Sequence, residues 1–273
     1  MQITCLVDNS VEPGTRLWGE HGLSFLIESH GDRLLFDTGA SGSVLLHNMQ
    51  TLHVDPQTIS ALAISHAHWD HTGGLPFLLG LRPGLPLYAN ADLLRERFSR
   101  RGGAVKSIGM PIPPTELRQQ ADLRLSADCQ EILPGMWTTG EVGGRLYPEG
   151  RSAHHLVRQG ETWAPDPYRD DMALVLESSC GLVLVCGCCQ AGLLNTLDRV
   201  QQAFGLSVHA VIGGAHLVGA DADHLRHLMT RLDGLGMPNL YLNHCTGLAA
   251  YLSLAVAFGD RVHPCPAGTV LEY

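Results

Sequence analysis

Ser65-His66-Ala67-His68-Trp69-Asp70-His71-Thr72-Gly73-Gly74 places three imidazoles and a carboxylate in one short run. The run follows Ile59 to Ile64, a β-favouring apolar stretch that reads as a buried strand. Two imidazoles at i and i+2 leaving a strand end point to the same side. The turn that follows can bring Asp70 and His71 back towards them. Nitrogen and carboxylate donors at this spacing suit a divalent ion, zinc first, with manganese and iron also compatible. Gly73 and Gly74 are expected to let the backbone turn tightly beneath the ion. A histidine-rich surface loop is the bland alternative, and it leaves the strand-end position and the glycines unexplained.

These side chains must be held by the surrounding elements. Ile3 to Val7, Leu23 to Glu28 and Arg33 to Phe36 are short β-favouring runs, with a Gly31-Asp32 hairpin turn between the last two. Ser43 to Leu52 reads as a helix. Met172 to Leu176 and Leu182 to Val185 form a hairpin around Ser178 to Gly181. Leu193, Leu194, Leu197, Val200 and Phe204 then recur at helical spacing. Val208 to Ile212 is a strand, Leu225 to Leu235 a helix, Leu240 to Leu242 a strand, Leu248 to Phe258 a helix and Val270 to Glu272 a closing strand. Hairpins first and helical crossovers later predict an α/β fold of two sheets with helices outside. The stretch of about 88–168, rich in Pro, Gly and Arg, is expected to be an insertion or lid within a single domain spanning 1–273. One helix is expected inside it, Ala91 to Ser99.

The HxHxDH run with its Gly-Gly resembles the signature of the metallo-β-lactamase superfamily, which implies a four-layer αββα sandwich with metals at the upper edges of its sheets. Asp37-Thr38-Gly39 is similar to the superfamily's early DTG turn, whose aspartate supports the metal loop. Asn243-His244-Cys245-Thr246-Gly247 sits where the superfamily places its last metal histidine. A narrower likeness is carried by Val7-Asp8-Asn9, Glu20-His21-Gly22-Leu23-Ser24, Gly187-Cys188-Cys189-Gln190-Ala191-Gly192 and Gly213-Gly214-Ala215-His216-Leu217. These resemble the branch named for dihydropterin–ribofuranosylaminobenzene phosphate synthase. The resemblance implies His66 and His68 on a first ion, and Asp70, His71 and His244 on a second. It also implies a third ligand where Asp170 and Asp171 stand, Asp171 being the candidate. The usual bridging carboxylate is replaced by Gly187-Cys188, and a histidine of the branch by Gln190. A thiolate beside a metal coordinates well, so Cys188 is a candidate ligand. Neutral Gln190 is a candidate substrate contact, and the two ion sites are expected to be unequal.

His216, after a strand and a Gly-Gly pair, is expected at the same rim as a substrate contact. Glu20 and His21 precede a strand and are expected to reach that rim, Glu20 as a substrate contact. Asn9 reads as a turn cap, His154-His155 as a solvated pair, and Cys5, Cys129 and Cys180 as core filler. Arg95, Arg97, Arg100, Arg101 and Lys106 form either a solvated helix face or a seat for phosphate or carboxylate. Trp137, Tyr147, Trp163 and Tyr168 are candidates for a flat wall against a ring.

The net charge of −9 argues against nucleic acid as a partner. No apolar run of the roughly 18 residues needed to span a bilayer occurs, and the start carries no export pattern. The eight cysteines in a chain of this size read as reduced thiols, so the expected setting is the cytoplasm and the expected partner a small, anionic molecule. The leading functional reading is a hydrolase in which one or two zinc ions activate water, with Asp70 as ligand and proton acceptor. No G-x-S-x-G elbow competes. The alternatives are synthase chemistry, transferring a methyl-pterin group with pyrophosphate release, and a non-catalytic sensor with a degraded metal site.

Overall fold

Alternation along each strand decides which side of its sheet a residue faces. In the computed structural model, which describes residues 1–273, two seven-stranded sheets pack face to face. The first runs Val270–Glu272, Gln2–Val7, Ser24–Ser29, Asp32–Phe36, Ala61–Ala63, Leu85–Ala89, Ala121–Leu125. The second runs Val262–Pro264, Asn239–Leu242, Val208–Gly213, Gly181–Cys186, Leu174–Ser178, Met136–Thr138, Glu131–Leu133. Leu34 and Phe36 join Val183, Val185 and Ile212 between the sheets. Leu35 faces outward, under the helices Gly42–Thr51 and Leu75–Leu81. Leu182 and Leu184 face the other way, under Leu193–Phe204, Ala222–Gly234 and Leu248–Phe258. The layers are therefore αββα, as the strand and helix pattern predicts. No helix is long and apolar enough to cross a membrane.

The direction of the strands sets where side chains gather. Asp32–Phe36, Ala61–Ala63 and Leu85–Ala89 are mutually parallel. Gly181–Cys186, Val208–Gly213 and Asn239–Leu242 are parallel in the second sheet. Parallel neighbours need crossover connections, so the loops after their C-terminal ends all open on one edge. Residues following Phe36, Ala63, Cys186, Gly213 and Leu242 thus meet at one rim.

The middle of the chain corrects two expectations. The stretch of about 88–168 is not one insertion, because Ala121–Leu125 extends the first sheet and Glu131–Leu133 with Met136–Thr138 the second. Only the hairpins Phe98–Arg101/Ala104–Ser107 and His155–Gln159/Thr162–Pro165 stand apart, as a four-stranded sheet joined through His155 and Leu156. In place of the helix Ala91 to Ser99 there is a short turn, Ala91–Leu94, capped by Asn90, and then a strand. Arg97 explains the change. Its guanidinium is buried and ion-paired with Asp92 at 2.7 Å, and with Asp166 and Asp170 at 2.9 Å each. Long-range charge pairing overrides local helix propensity here, and Arg97 is structural rather than a substrate contact. Burial pushes the Asp166 carboxyl up to about 6, with Arg97 opposing that rise.

Replacing Arg97 with alanine leaves Asp166 and Asp170 buried without their counter-charge, a change expected to cost about 3–5 kcal/mol in denaturant unfolding. A loss below about 1 kcal/mol, the range of exposed pairs, would show that this pairing does not hold the small sheet in place.

Candidate metal centre

The rim is organised from below by Asp37, which ends a central strand with φ 59° and no solvent contact. Its Oδ1 accepts from Ser65 N–H at 2.7 Å, and its Oδ2 from Ser65 O–H and His71 Nδ1–H, each at 2.7 Å. Thr38 adds its N–H and hydroxyl to the His71 carbonyl. Gly73 and Gly74 serve close approach rather than a special turn, which corrects the sequence reading. Both have ordinary helical backbone angles, and a Cβ on either would collide with the carbonyl of Ala40 or Thr38.

With Nδ1 of His71 donating to Asp37, its Nε2 is free to face the cleft. Asp70 Oδ2 lies 3.7 Å from that nitrogen and 3.3 Å from His244 Nε2, and Cys188 Sγ is 3.3 Å from His71 Nε2. The donor atoms of Asp70, His71, Cys188 and His244 all lie within 4.8 Å of one another. His244 is oriented by its backbone N–H to Asp8 Oδ1 at 2.9 Å and by Nδ1 to Asn9 Oδ1 at 3.1 Å. Its Nε2 is buried and has no hydrogen-bond partner. An orphaned imidazole nitrogen beside a carboxylate and a thiol fits a divalent cation, and zinc accepts this donor set. Asn9 is therefore an orienting residue for His244, not only a turn cap.

His66, His68 and Gln190 form a neighbouring group. His66 Nε2 is 3.1 Å from His68 Nδ1, and the Gln190 amide is 3.2 Å from the same nitrogen. His66 Nδ1 meets Ser65 Oγ at 2.9 Å, so Ser65 serves both groups. This second group holds no anion, and Gln190 Oε1 has no partner.

Electrostatics separates the two. Burial works against the Asp70 charge, yet His71 and His244 hold the carboxyl far below the usual range. Burial likewise opposes a charged His71, but Asp37 and Asp70 outweigh it and push the ring up to about 9. Burial keeps His66 and His68 neutral and raises the Cys188 thiol.

A cleft of about 680 Å³ opens above these residues. His21 and His216 line it, as does Trp69, which lies inside the motif itself and is 41% exposed. His21 Nε2 is 3.4 Å from Asp70 Oδ2, and its ring stacks on His244 with centroids 5.1 Å apart. His155 also lines the cleft, edge-on to His68 at 5.0 Å, which corrects its reading as part of a solvated pair. Burial, then His216 and Arg101, lower its pKa to about 4. The Tyr168 hydroxyl accepts from Ser152 N–H and contacts His155 Nδ1 at 2.9 Å. With the hydroxyl proton given to Nδ1, Nε2 of His155 is a donor. Its pairing with a distant tyrosine left no local signal in the sequence.

Other candidates lie elsewhere. Glu20 accepts from Ala40 N–H, Ser41 N–H and Ser41 O–H at 2.7 to 3.0 Å, so it fixes the start of a helix rather than a substrate. Asp171 accepts from Ala191 N–H at 2.8 Å and orders the loop carrying Cys188 and Gln190 instead of ligating an ion. Burial raises its carboxyl to about 7. Asp170 pairs with Arg97. Trp137 packs on Phe204 and Trp163 on Phe98, so neither forms a wall of this cleft. Cys180 is exposed, not core filler.

Two outcomes follow from this arrangement. A cation must displace the protons of His71 and Cys188, both raised, so affinity strengthens as pH rises towards 9 and weakens as pH falls. Competition with a chelator should give at least about a tenfold change per pH unit between about pH 6 and 8; a flat profile contradicts the assignment. Gln190→His adds a third imidazole beside His66 and His68 and should tighten the weaker group by about tenfold or more. Calorimetric titration that shows no change would mean Gln190 does not face that group.

Comparison with known proteins agrees with the geometry. Residues 17–124 match the family model of the metallo-beta-lactamase superfamily. The 7,8-dihydropterin-6-methyl-4-(beta-D-ribofuranosyl)-aminobenzene-5'-phosphate synthase of Methanocaldococcus jannaschii is 27% identical over 100% of this chain and 97% of that protein. The crystal structure of Tm1679, a metal-dependent hydrolase of the beta-lactamase superfamily, superposes with a TM-score of 0.87 at 27% identity, covering 100% of this chain and 99% of that one. A diphosphatase of the PhnP family shares the fold at a TM-score of 0.56 and 14% identity, over 100% of this chain and 97% of that one. By its motif, its four layers and these likenesses, the chain has the metallo-beta-lactamase fold, and residues 17–124 carry the match to that superfamily's model.

Proposed function

We propose that this chain is a metal-dependent hydrolase of a small, phosphate-bearing molecule. The observation that carries the reading is the pairing of a cation-holding floor with a cationic rim in one cleft. Asp70, His71, Cys188 and His244 form the floor. Arg101 and Lys106, on the strands of the small sheet, line the same cleft without a carboxylate partner. One or two divalent cations, zinc first, supply Lewis acidity and acidify water when bound. Asp70, held as the carboxylate, orients the attacking group, and His21, whose exposed ring is 3.4 Å from that carboxylate and reaches solvent, is placed to take up its proton. Neutral His155 donates a hydrogen bond from its Nε2–H to a leaving oxygen and so stabilises the charge that develops there. Arg101 and Lys106 bind the phosphate, the arginine through its planar fork. The acidic charge of −9 disfavours a nucleic acid in that role. The eight free cysteines, two of them lining the cleft, favour a reducing compartment, the cytoplasm.

A second reading is group transfer of the kind named for the Methanocaldococcus jannaschii relative, whose likeness runs the length of this chain. It is favoured by a second chamber of about 690 Å³ that shares Arg101, His155, His216 and Val218 with the first and adds Arg145 and Arg151. Two joined chambers suit two reactants, and the rim would then retain a diphosphate leaving group. Joined product with released pyrophosphate separates this reading from hydrolysis.

The test is a screen of zinc-loaded protein on phosphomonoesters, phosphodiesters, thioesters and lactones. Turnover of a phosphate ester, lost in His244→Ala, is expected. Turnover confined to thioesters or lactones contradicts the phosphate assignment. With the best phosphate substrate, Arg101→Glu combined with Lys106→Glu should raise KM about tenfold or more at low salt, with the effect shrinking as salt rises. An unchanged KM would return both residues to the solvated surface.

A further inference from the structure

Three neighbouring parallel strands of the second sheet end in loops that each deliver one soft or nitrogen donor to the same place. Cys188 follows Gly181–Cys186, His216 follows Val208–Gly213, and Cys245 follows Asn239–Leu242. The two sulfurs and a ring nitrogen of His216 lie within 4.8 Å of one another. Cys245 Sγ is held from both sides, at 3.3 Å from the Cys188 carbonyl and 3.3 Å from the His216 N–H. Gly214 makes the approach possible, since a Cβ there would stand 2.6 Å from that sulfur. His216 Nδ1 is shielded from solvent and has no hydrogen-bond partner. Both His216 and the adjoining His244 sit in the left-handed region, at φ 49° and 48°, a conformation that costs a non-glycine residue energy and clusters at functional sites. The proposed hydrolytic reading uses Cys188 but gives Cys245 and His216 no task.

We propose that Cys188, His216 and Cys245 form a sulfur-rich cation seat that shares the Cys188 thiolate with Asp70, His71 and His244. Two ions would then flank Cys188, and the second would sit away from His66, His68 and Gln190. Charge and softness favour that place. The group of His66, His68 and Gln190 offers only neutral donors, whereas the new seat offers two thiolates and an imidazole, a set that selects thiophilic ions such as zinc. One bridging thiolate also offsets the repulsion of two cations, the task a bridging carboxylate otherwise performs. Both Cys245 and His216 line the cleft, which gives an ion a route in. The seat depends on which side chains meet and not on the reaction they serve.

Cadmium, as a thiophilic stand-in for zinc, tests this on the fully reduced, metal-stripped chain. Absorbance from thiolate-to-cadmium charge transfer is followed while cadmium is titrated. Two steps are expected, the second bringing in one further thiolate. Cys245→Ser should keep the first step and abolish the second, and His216→Ala should weaken the second about 10–100-fold. Mass-spectrometric mapping of alkylated thiols on the unmodified chain supplies an arm that needs no variant. Cys245 should react freely with iodoacetamide after one equivalent of cadmium and be protected after two. A second step that survives Cys245→Ser, or equal alkylation of Cys245 at one and two equivalents, overturns the seat. Neither readout uses turnover, so a failed substrate screen and a failed seat are distinguishable.

Discussion

The Asp37 carboxylate sits without solvent contact at the end of a central strand and takes three hydrogen bonds, from Ser65 N–H, Ser65 O–H and His71 Nδ1–H. A buried carboxylate is tolerated only when it is bonded in this way. Those bonds tie together two parallel strands of the first sheet and the helical turn that carries Asp70 and His71. They also set the His71 ring so that its other nitrogen faces the cleft. The second sheet is pressed against the same point. A Cβ on Gly187 would strike the Ser65 side chain and stand 3.1 Å from Asp37 Oδ2, so only glycine lets the loop bring Cys188 up to His71. Fold and ligand set are thus fixed by one ion-pair network rather than by two separate demands.

Much of this was legible in the sequence because it is local. Period-two and helical spacings located the strands and helices of both sheets, and their order implied the layers. The motif from His66 to His71 follows its strand directly, so its ligands were legible as a group. His244 and Cys188 lie far along the chain, and only resemblance pointed to them. What sequence could not show is what depends on pairs brought together by folding. Arg97 belongs to a run of positive charges, yet Asp166 and Asp170 draw it inside. Glu20 and Asp171 carry the right chemistry for a site but are consumed by backbone N–H groups. His155 reaches the cleft because the small sheet folds over the rim and Tyr168 holds its ring.

The donor set also shows how a shared fold tolerates altered ligands. Asp70 puts a negative charge on one side of the rim, with His71 and His244, and Cys188 adds a second once a cation displaces its proton, while His66, His68 and Gln190 remain uncharged. A cation is therefore drawn first to the Asp70 side. Thiolate in place of carboxylate there shifts preference towards softer ions and makes occupancy sensitive to oxidation of Cys188.

Zinc K-edge absorption on protein loaded with one equivalent of zinc tests the central assignment most directly, because it counts the atoms touching the ion. Coordination by Asp70, His71, His244 and Cys188 predicts a single sulfur at about 2.3 Å with nitrogen and oxygen neighbours at about 2.0–2.2 Å. A first shell made of nitrogen and oxygen alone, unchanged in Cys188→Ser, would contradict the account and place the ion with His66 and His68 instead.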